Sequence, residues 1–214
     1  MRDTTQELEH WLRAGGRRVG QILIAPAGEG WELRHTDDAG REDLTVFSKW
    51  EDARAISNLD DAGAFRPLKT APSLRHGWRL VLPDAHSVRL SLEYFYPAML
   101  GVWLAHRDGE VKPVDLNHTL GRQTGMYRIT QKLTHEQAQR LIAKQCRSNG
   151  GCLKTILWQI SQGICVPLLP PEKFRADATA ADTMPLLCQE ACNFLVAAAR
   201  KMVKDESPAV PPTP

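Results

Sequence analysis

Residues 146–152 have the sequence CRSNGGC, in which two cysteines flank a short run rich in glycine. Asn149, Gly150 and Gly151 tolerate positive φ, so the backbone between the cysteines is able to wrap closely and direct its N–H groups inward. Such a turn suits thiolates that bind a metal ion, with the N–H groups directed toward inorganic sulfur bound to that metal. We therefore expect it to organise the C-terminal third of the fold.

The other three cysteines lie further along the chain, so that all five fall within residues 146–192. A final helix is predicted over residues 186–204, and Cys188 and Cys192, at i and i+4, share one face of its first turns. The partial positive charge at a helix start favours thiolate over thiol. The pattern indicates two pairs of ligating cysteines, one on the glycine-rich turn and one on the helix.

The cysteine spacings leave three interpretations open. A cubane iron–sulfur cluster needs four thiolates around a compact body, and two from one short loop are usual. The spacings C-x5-C and C-x3-C match neither the ferredoxin patterns nor the C-x2-C pairs of structural zinc sites, so zinc and unligated thiols stay as alternatives. Cys165 lies in the apolar run GICVP, which favours a buried small side chain and makes it a reserve ligand.

The N-terminal part of the sequence predicts strands and helices that follow one another without regular alternation, which indicates the α+β class. Strands are predicted over residues 19–25, 31–35 and 77–82, the first two as a hairpin. A helix from Asp84 is predicted to break at Pro97.

Two capping boxes are predicted from the spacing of serine or threonine and an acid or amide three residues later. Ser48 with Glu51 opens a helix that runs to about Leu59. Thr134 with Gln137 opens a second helix, which leads directly into Cys146.

Four runs of sequence resemble a bacterial family of chelatase-like proteins. They are FRPLKTAPSLRHGW (65–78), GRQTGMYR (121–128), CRSNGGCLKTILWQI (146–160) and CQEACNFLVAAARKMV (188–203). Members of that family look like a CbiX-type sirohydrochlorin chelatase domain followed by a small stabilising α/β domain and a 4Fe-4S domain. The chain is similar to the C-terminal part of this arrangement, over nearly its whole length apart from the Pro-rich tail.

The resemblance implies a cofactor, a ligand set and a domain organisation. It places a 4Fe-4S cluster on Cys146, Cys152, Cys188 and Cys192, with Cys165 outside the set. It also implies a stabilising α+β domain over residues 1–130 and a mostly helical 4Fe-4S domain over residues 131–205; the Pro-rich composition of residues 206–214 separately predicts a disordered tail.

Basic residues in two of these runs are candidates for anion binding. Arg66 and Lys69 lie in the first run, and Arg122 and Arg128 flank a glycine turn in the second. Such donors suit the carboxylates of a tetrapyrrole. The alternative is that they hydrogen-bond backbone carbonyls and carboxylates of the chain itself.

The charge distribution and the ends of the sequence narrow the expected partners and location. Residues 121–154 contain 7 basic side chains against Glu136 alone, but no nucleic-acid-binding fold is recognisable, so nucleic acid is not expected as a partner. The polar N-terminus and the lack of a membrane-spanning apolar run favour a cytoplasmic protein with no membrane contact.

The expected role follows from the cluster. No chelatase domain precedes the matching runs, so the sequence predicts a 4Fe-4S protein with a redox or sensing role that serves, at most, a separately encoded chelatase or redox partner in cobalamin or siroheme synthesis. No catalytic motif assigns a reaction. The alternative is a zinc-stabilised interaction module without redox activity.

Overall fold

The computed structural model describes residues 3–60, 62–66, 74–111, 114–115, 133–146, 152, 154–156, 158–159, 181–188 and 192–206. The chain divides into two units. Unit 1 comprises Met1–Val111, Cys152–Thr155 and Pro171–Leu187, and unit 2 comprises Lys112–Gly151, Ile156–Pro170 and Cys188–Pro214. The predicted boundary at residue 130 lies outside the described residues, and of the predicted tail only Glu206 is described, as the last residue of a helix.

Helices and strands both occur in the described residues, which confirms the α+β class. The helices are α1 (Thr4–Arg13), α2 (Asp52–Asn58), α3 (Ala85–Phe95), α4 (Met99–Arg107), α5 (His135–Cys146) and α6 (Asn193–Glu206). The strands are β1 (Arg18–Val19), β2 (Ile22–Ala27), β3 (Gly30–His35), β4 (Thr45–Phe47), β5 (Trp78–Leu82), β6 (Val114–Asp115), β7 (Thr155–Ile156), β8 (Trp158–Gln159), β9 (Thr183–Met184) and β10 (Leu187–Cys188).

Unit 1 is built on a six-stranded sheet in the order β4-β5-β3-β2-β1-β9. The β2–β3 and β3–β5 pairs are antiparallel, whereas the two edge strands, β4 and β9, pair in parallel with their neighbours. Because β9 comes from residues far along the chain, the last strand of this sheet is supplied by the sequence that immediately precedes Cys188.

Helix α3 packs on the sheet at β3 and β5, and α1, α2 and α4 pack around α3. Trp78, Leu80 and Leu82 alternate with partly exposed residues along β5 and are at most 2% exposed, as expected for a strand with one face in the core. The Trp78 ring stacks on Phe95 of α3, with ring centroids 5.2 Å apart. Burial of these large side chains supplies the main stabilisation of unit 1.

The predicted hairpin is confirmed as the antiparallel pair of β2 and β3. The first predicted strand, over residues 19–25, is however divided into β1 and β2. Val19 pairs with Ile22, so the chain reverses at Gly20 and Gln21. Gly20 has φ of +57°, and a Cβ there would lie 2.7 Å from the Tyr96 hydroxyl oxygen. The turn therefore needs glycine both for its backbone and for its neighbour.

Among the predicted helix starts in unit 1, one is wrong and one is confirmed. Helix α2 begins at Asp52 rather than after Ser48, and the Lys49 N–H donates to the Asp52 carboxylate at 3.2 Å. Asp84 caps α3 by accepting from the Ser87 N–H at 2.7 Å, and this helix ends at Phe95, before Pro97 as predicted.

Unit 2 contains helices α5 and α6, which pack on one another. The predicted capping box of α5 is confirmed, because Thr134 N–H donates to Gln137 Oε1 at 2.9 Å and Gln137 N–H donates to Thr134 Oγ1 at 3.2 Å. Short strands of the segment 114–188 pair as β6 with β8 and β7 with β10. Within the described parts of the chain, no helix has the length and apolar character needed to span a membrane.

The predicted helix over residues 186–204 is wrong at its start. It begins at Asn193, and Cys188 lies in strand β10 instead. The apolar residues Leu186 and Leu187 are buried at 3% and 2% exposure, so the run that resembles a helical face is part of an extended segment. Cys188 and Cys192 therefore do not share a helix face.

Candidate metal centre

Helices α5 and α6 are antiparallel, because the first half of α5 contacts the last residue of α6. Gln137 Nε2 and Arg140 Nη2 both lie within hydrogen-bond distance of Glu206 Oε2, at 3.0 and 2.5 Å. The opposite ends of the two helices are the C-terminus of α5, at Cys146, and the N-terminus of α6, after Cys192. The helix pairing thus places these two cysteines at the same end of unit 2.

A small apolar cluster fills the interface between α5 and α6. Its buried members are Ala138, Leu141, Ile142, Leu195, Val196 and Ala199. Cys146 and Cys188 are partly buried and both pack against this cluster. Two predicted ligands from separate parts of the sequence therefore contact one common core.

Cys192 occupies the position before the first residue of α6. Its carbonyl oxygen accepts a hydrogen bond from the Val196 N–H at 3.0 Å, which is the first hydrogen bond of the helix. The Cys192 side chain is exposed. The N-terminal end of a helix bears partial positive charge, which stabilises a thiolate and the negative charge of a thiolate-bound cluster.

Cys152 and Cys188 lie where the chain passes from one unit to the other. Unit 2 ends at Gly151 and the segment of unit 1 begins at Cys152; unit 1 ends again at Leu187 and unit 2 resumes at Cys188. Strand β7 starts three residues after Cys152 and pairs with β10, which contains Cys188. Cys146 thus lies at the end of α5 and Cys192 at the start of α6. Cys188 lies in β10, and Cys152 lies just before its partner strand β7.

The chemistry of this donor set fits a 4Fe-4S cluster, which takes four cysteine thiolates. In the described portion of the chain, no three histidine, cysteine, aspartate or glutamate side chains lie close enough together to hold a metal ion. The segments that join the ligand positions, residues 147–151 and 189–191, lie outside the described residues. The convergence of the four sulfurs stays a prediction, as does the position of Cys165, which is also outside them.

Of the predicted anion-binding residues, the structure describes Arg66. Its side chain is buried, at 3% exposure, and its backbone N–H donates to the Asn58 carbonyl at 2.7 Å. Burial lowers the pKa of Arg66 from its ordinary value, and the nearby Tyr96 phenol opposes that shift. Lys69, Arg122 and Arg128 lie outside the described residues. An anion site formed by these four residues stays a prediction.

Sequence reasoning missed a basic pocket of about 480 Å³ in unit 1, lined by Arg34, Gly40, Arg41, Glu42 and Arg79. Arg34 and Arg79 are direct partners in the β3–β5 register, and both contact the Glu32 carboxylate. The signal in the sequence was that Glu32 and Arg34 lie two residues apart on a predicted strand, which places them on the same face.

The third arginine of this pocket is held by acidic neighbours. Arg41 donates to both carboxylate oxygens of Asp43, at 2.9 and 2.8 Å, and to Asp38 at 2.9 Å. These contacts raise the pKa of Arg41, and the hydrogen bond with Asp43 has the largest effect. Asp38 is wholly buried and also accepts from the Gly77 N–H at 2.6 Å. The guanidinium groups are therefore engaged in joining β3, β5 and their loops.

Two family models match adjoining parts of the sequence. The model described as the DR2241 stabilising domain matches residues 4–107. The model described as a 4Fe-4S iron-sulfur cluster binding domain matches residues 108–201, which include all five cysteines. No curated protein matches the sequence.

A solved structure is similar over almost the whole chain. It is DR2241 from Deinococcus radiodurans, described as a multi-domain protein with structural similarity to chelatases and with two additional novel domains. The identity is 34%, the TM-score is 0.72, and the match covers 96% of this chain and 43% of DR2241. The chain therefore spans less than half the length of that protein. Over residues 4–201 it is similar to a stabilising domain followed directly by a 4Fe-4S cluster-binding domain.

Proposed function

We propose that this protein binds one 4Fe-4S cluster through Cys146, Cys152, Cys188 and Cys192 and acts in electron transfer or in sensing. The match of residues 108–201 to a cluster-binding family model is the observation that carries this proposal. It is supported by the packing of Cys146 and Cys188 against one apolar cluster, and by the antiparallel pairing that brings the ends of α5 and α6 to the same side.

The residues of the chain have distinct tasks in this proposal. A bound cluster supplies one-electron redox chemistry, whose potential depends on hydrogen bonds to sulfur and on solvent exposure. Cys146 and Cys188, which are partly buried, provide the shielded side of the site, and the exposed Cys192 provides the side that faces solvent. The N-terminus of α6 stabilises negative charge next to Cys192.

We further propose that the protein serves a tetrapyrrole chelatase of the CbiX type, or a redox partner, in the cytoplasm. The similarity to DR2241, which is described as resembling chelatases, supports this link. The predicted anion-binding residues Arg66, Lys69, Arg122 and Arg128 are the candidates for contact with a carboxylated tetrapyrrole.

Anaerobic purification tests the cluster. The expected result is a brown protein that contains about four iron and four sulfide per chain. A colourless protein after anaerobic reconstitution with iron and sulfide contradicts the proposal, and retention of zinc without iron uptake identifies the zinc-stabilised alternative.

Titration with a carboxylated tetrapyrrole tests the proposed contact between such a ligand and the basic residues. Binding should quench tryptophan fluorescence and weaken with added salt, because the contacts are between opposite charges. A double Arg122→Gln, Arg128→Gln variant should bind more weakly than wild type, whereas unchanged affinity rules out this pair as the anion site.

A further inference from the structure

Residues 182–187 belong to unit 1, although they lie within the range that matches the cluster-binding family model. The backbone N–H groups of Arg17 and Arg18 donate to the Asp182 carbonyl at 2.7 and 3.0 Å. Thr183 then pairs with Arg18, and Met184 with Val19, in parallel register. The edge strand of the unit 1 sheet therefore ends at Met184, four residues before Cys188.

Side chains of this segment are built into the core of unit 1. Met184 and Leu186 are 1% and 3% exposed and belong to the same apolar cluster as the sheet and helices. Leu186 Cδ1 lies 2.8 Å, and the Tyr96 hydroxyl 2.7 Å, from where a Cβ on Gly20 would stand. Leu186 and Tyr96 thus fill the space above Gly20 together, and Leu186 has a fixed position in a close-packed environment.

The distance along the chain from Leu186 to Cys188 is short. Leu187, between them, is 2% exposed and pairs with β7 as part of β10. Two residues of extended chain span at most about 7 Å, so the backbone of Cys188 is confined to a small region around the buried Leu186. Cys192, in contrast, is exposed and depends on the start of α6 for its position.

We infer that Leu186 is a positioning residue for Cys188: it anchors the extended segment Asp182–Leu187 in the core of unit 1 and so holds the Cys188 thiol where a cluster ligand is required. This inference rests on the proposed function. It gives a side chain in the core of unit 1 a part in cluster binding, through the two-residue connection along the chain from Leu186 to Cys188. Mutation of the groups that orient a metal ligand typically costs about ten- to a hundredfold in metal affinity.

The test compares two full-chain variants that remove the same buried volume. Leu186→Ala truncates the anchor, and Leu104→Ala truncates a side chain of α4 that is 6% exposed in the same core. Both are loaded anaerobically, and iron release to a chelator is followed at a temperature where circular dichroism shows both to be folded. Leu186→Ala is expected to release iron about tenfold faster than wild type, whereas Leu104→Ala is expected to release it at the wild-type rate.

The outcomes separate this inference from the proposed function. If wild type takes up iron and sulfide but the two variants release iron at equal rates, the positioning role of Leu186 is overturned while cluster binding stands. If wild type takes up no cluster, both fail. Leu186→Met conserves the side-chain volume and should release iron as slowly as wild type. If the alanine variant does not fold, Leu186→Val takes its place. Release of iron by the valine variant at the wild-type rate also overturns the inference.

Discussion

The Arg140 guanidinium lies 2.5 Å from the Glu206 carboxylate, and this contact joins the first half of α5 to the last residue of α6. The same carboxylate oxygen accepts from the Gln137 amide at 3.0 Å. Both donors lie on the side of α5 that faces α6. The contact shows that the two helices run in opposite directions, so Cys146 and Cys192 lie at the same end of the helix pair.

Acid is expected to weaken this helix pair. The Gln137 hydrogen bond, followed by Arg140, lowers the pKa of Glu206 below its ordinary value of 4.5. A carboxylate with a lowered pKa in the folded state contributes stability above its unfolded pKa and loses it as the pH falls through the folded value. The protection factors of the amide protons in α5 and α6, which are corrected for the intrinsic pH dependence of exchange, should therefore fall below about pH 4.5.

Glu206→Gln should reduce this acid dependence, because the amide does not titrate. Since the group is exposed, the effect is expected to be small. Asp205→Asn removes an equal charge from the neighbouring position and serves as the control. Equal acid dependence in the two variants and in wild type contradicts the role given to Glu206.

Serine replacement of single cysteines tests the ligand set. Cys146→Ser, Cys152→Ser, Cys188→Ser and Cys192→Ser should each lower iron and sulfide below the full content of about four per chain, because serine oxygen is a poor ligand for this cluster type. Cys165→Ser is the matched control and should keep the full content. Iron and acid-labile sulfide assays on oxygen-free protein measure the difference; loss of iron in the Cys165 variant alone shows that the predicted set is wrong.

Two substitutions of Asp84, the N-cap of α3, are expected to differ in their effect on the stability of unit 1. Asp84 accepts from the Ser87 N–H at 2.7 Å, and this backbone hydrogen bond lowers the pKa of Asp84. Asp84→Ala should destabilise unit 1 by about 1 kcal/mol, the usual effect of losing a cap. Asp84→Asn retains the cap.

The same pair separates the charge of Asp84 from its hydrogen bond. Because the folded pKa is lowered, the stability that Asp84 contributes is present above its ordinary value of 3.8 and is lost as the pH falls. Urea unfolding of Asp84→Asn should therefore depend less on pH in this range than that of wild type. Equal stabilities of the alanine and asparagine variants at neutral pH argue against the cap.

Local sequence signals predicted local structure well. The Thr134–Gln137 capping box and the helix break before Pro97 both depend on residues within a few positions of one another, and both are confirmed. The four cysteines of the candidate cluster were also identified from the sequence, because cysteine is the residue type that such clusters require, and their role as its ligands stays a prediction.

Long-range pairing was not predictable in the same way. Leu186 and Leu187 precede a strong helix, yet they lie outside it: Leu187 belongs to β10, and β9, just before them, completes a sheet whose neighbouring strand lies at Arg18–Val19. Nothing in the sequence near Leu186 specifies that partner. The division of the predicted strand at Gly20 depends likewise on Tyr96, which is distant in sequence.

Tyr96 is expected to make unit 1 sensitive to alkali. Its hydroxyl oxygen accepts from the Gln21 N–H at 2.8 Å, and burial raises the pKa of Tyr96 to about 12. A raised pKa means that the neutral phenol stabilises the fold below the ordinary value of 10.0 and that this stabilisation is lost as the pH rises toward 12. Tyr96→Phe should lose this alkaline dependence.

At neutral pH, Tyr96→Phe should also destabilise unit 1 by about 1–3 kcal/mol, because the Gln21 N–H is left without its buried acceptor. Tyr94→Phe is the control, since that ring stacks on Trp50 with centroids 6.0 Å apart. Urea unfolding at neutral and alkaline pH measures both effects. A Tyr96→Phe variant as stable as wild type at neutral pH contradicts the assigned hydrogen bond.

Removal of the metal is expected to unfold unit 2 while the sheet of unit 1 persists. The two helices of the described part of unit 2 have 12 and 14 residues, lengths at which isolated helices are marginal in water, and the apolar cluster between them is small. The free energy of binding the metal to the cysteines therefore contributes directly to the folding of unit 2. After anaerobic chelation, amide exchange should accelerate throughout α5 and α6, whereas β2, β3 and β5 should keep their protection because their core of Trp78, Phe95 and the neighbouring leucines needs no metal. Protection of α5 and α6 that survives complete loss of iron contradicts this coupling and identifies their apolar interface as sufficient to hold the pair.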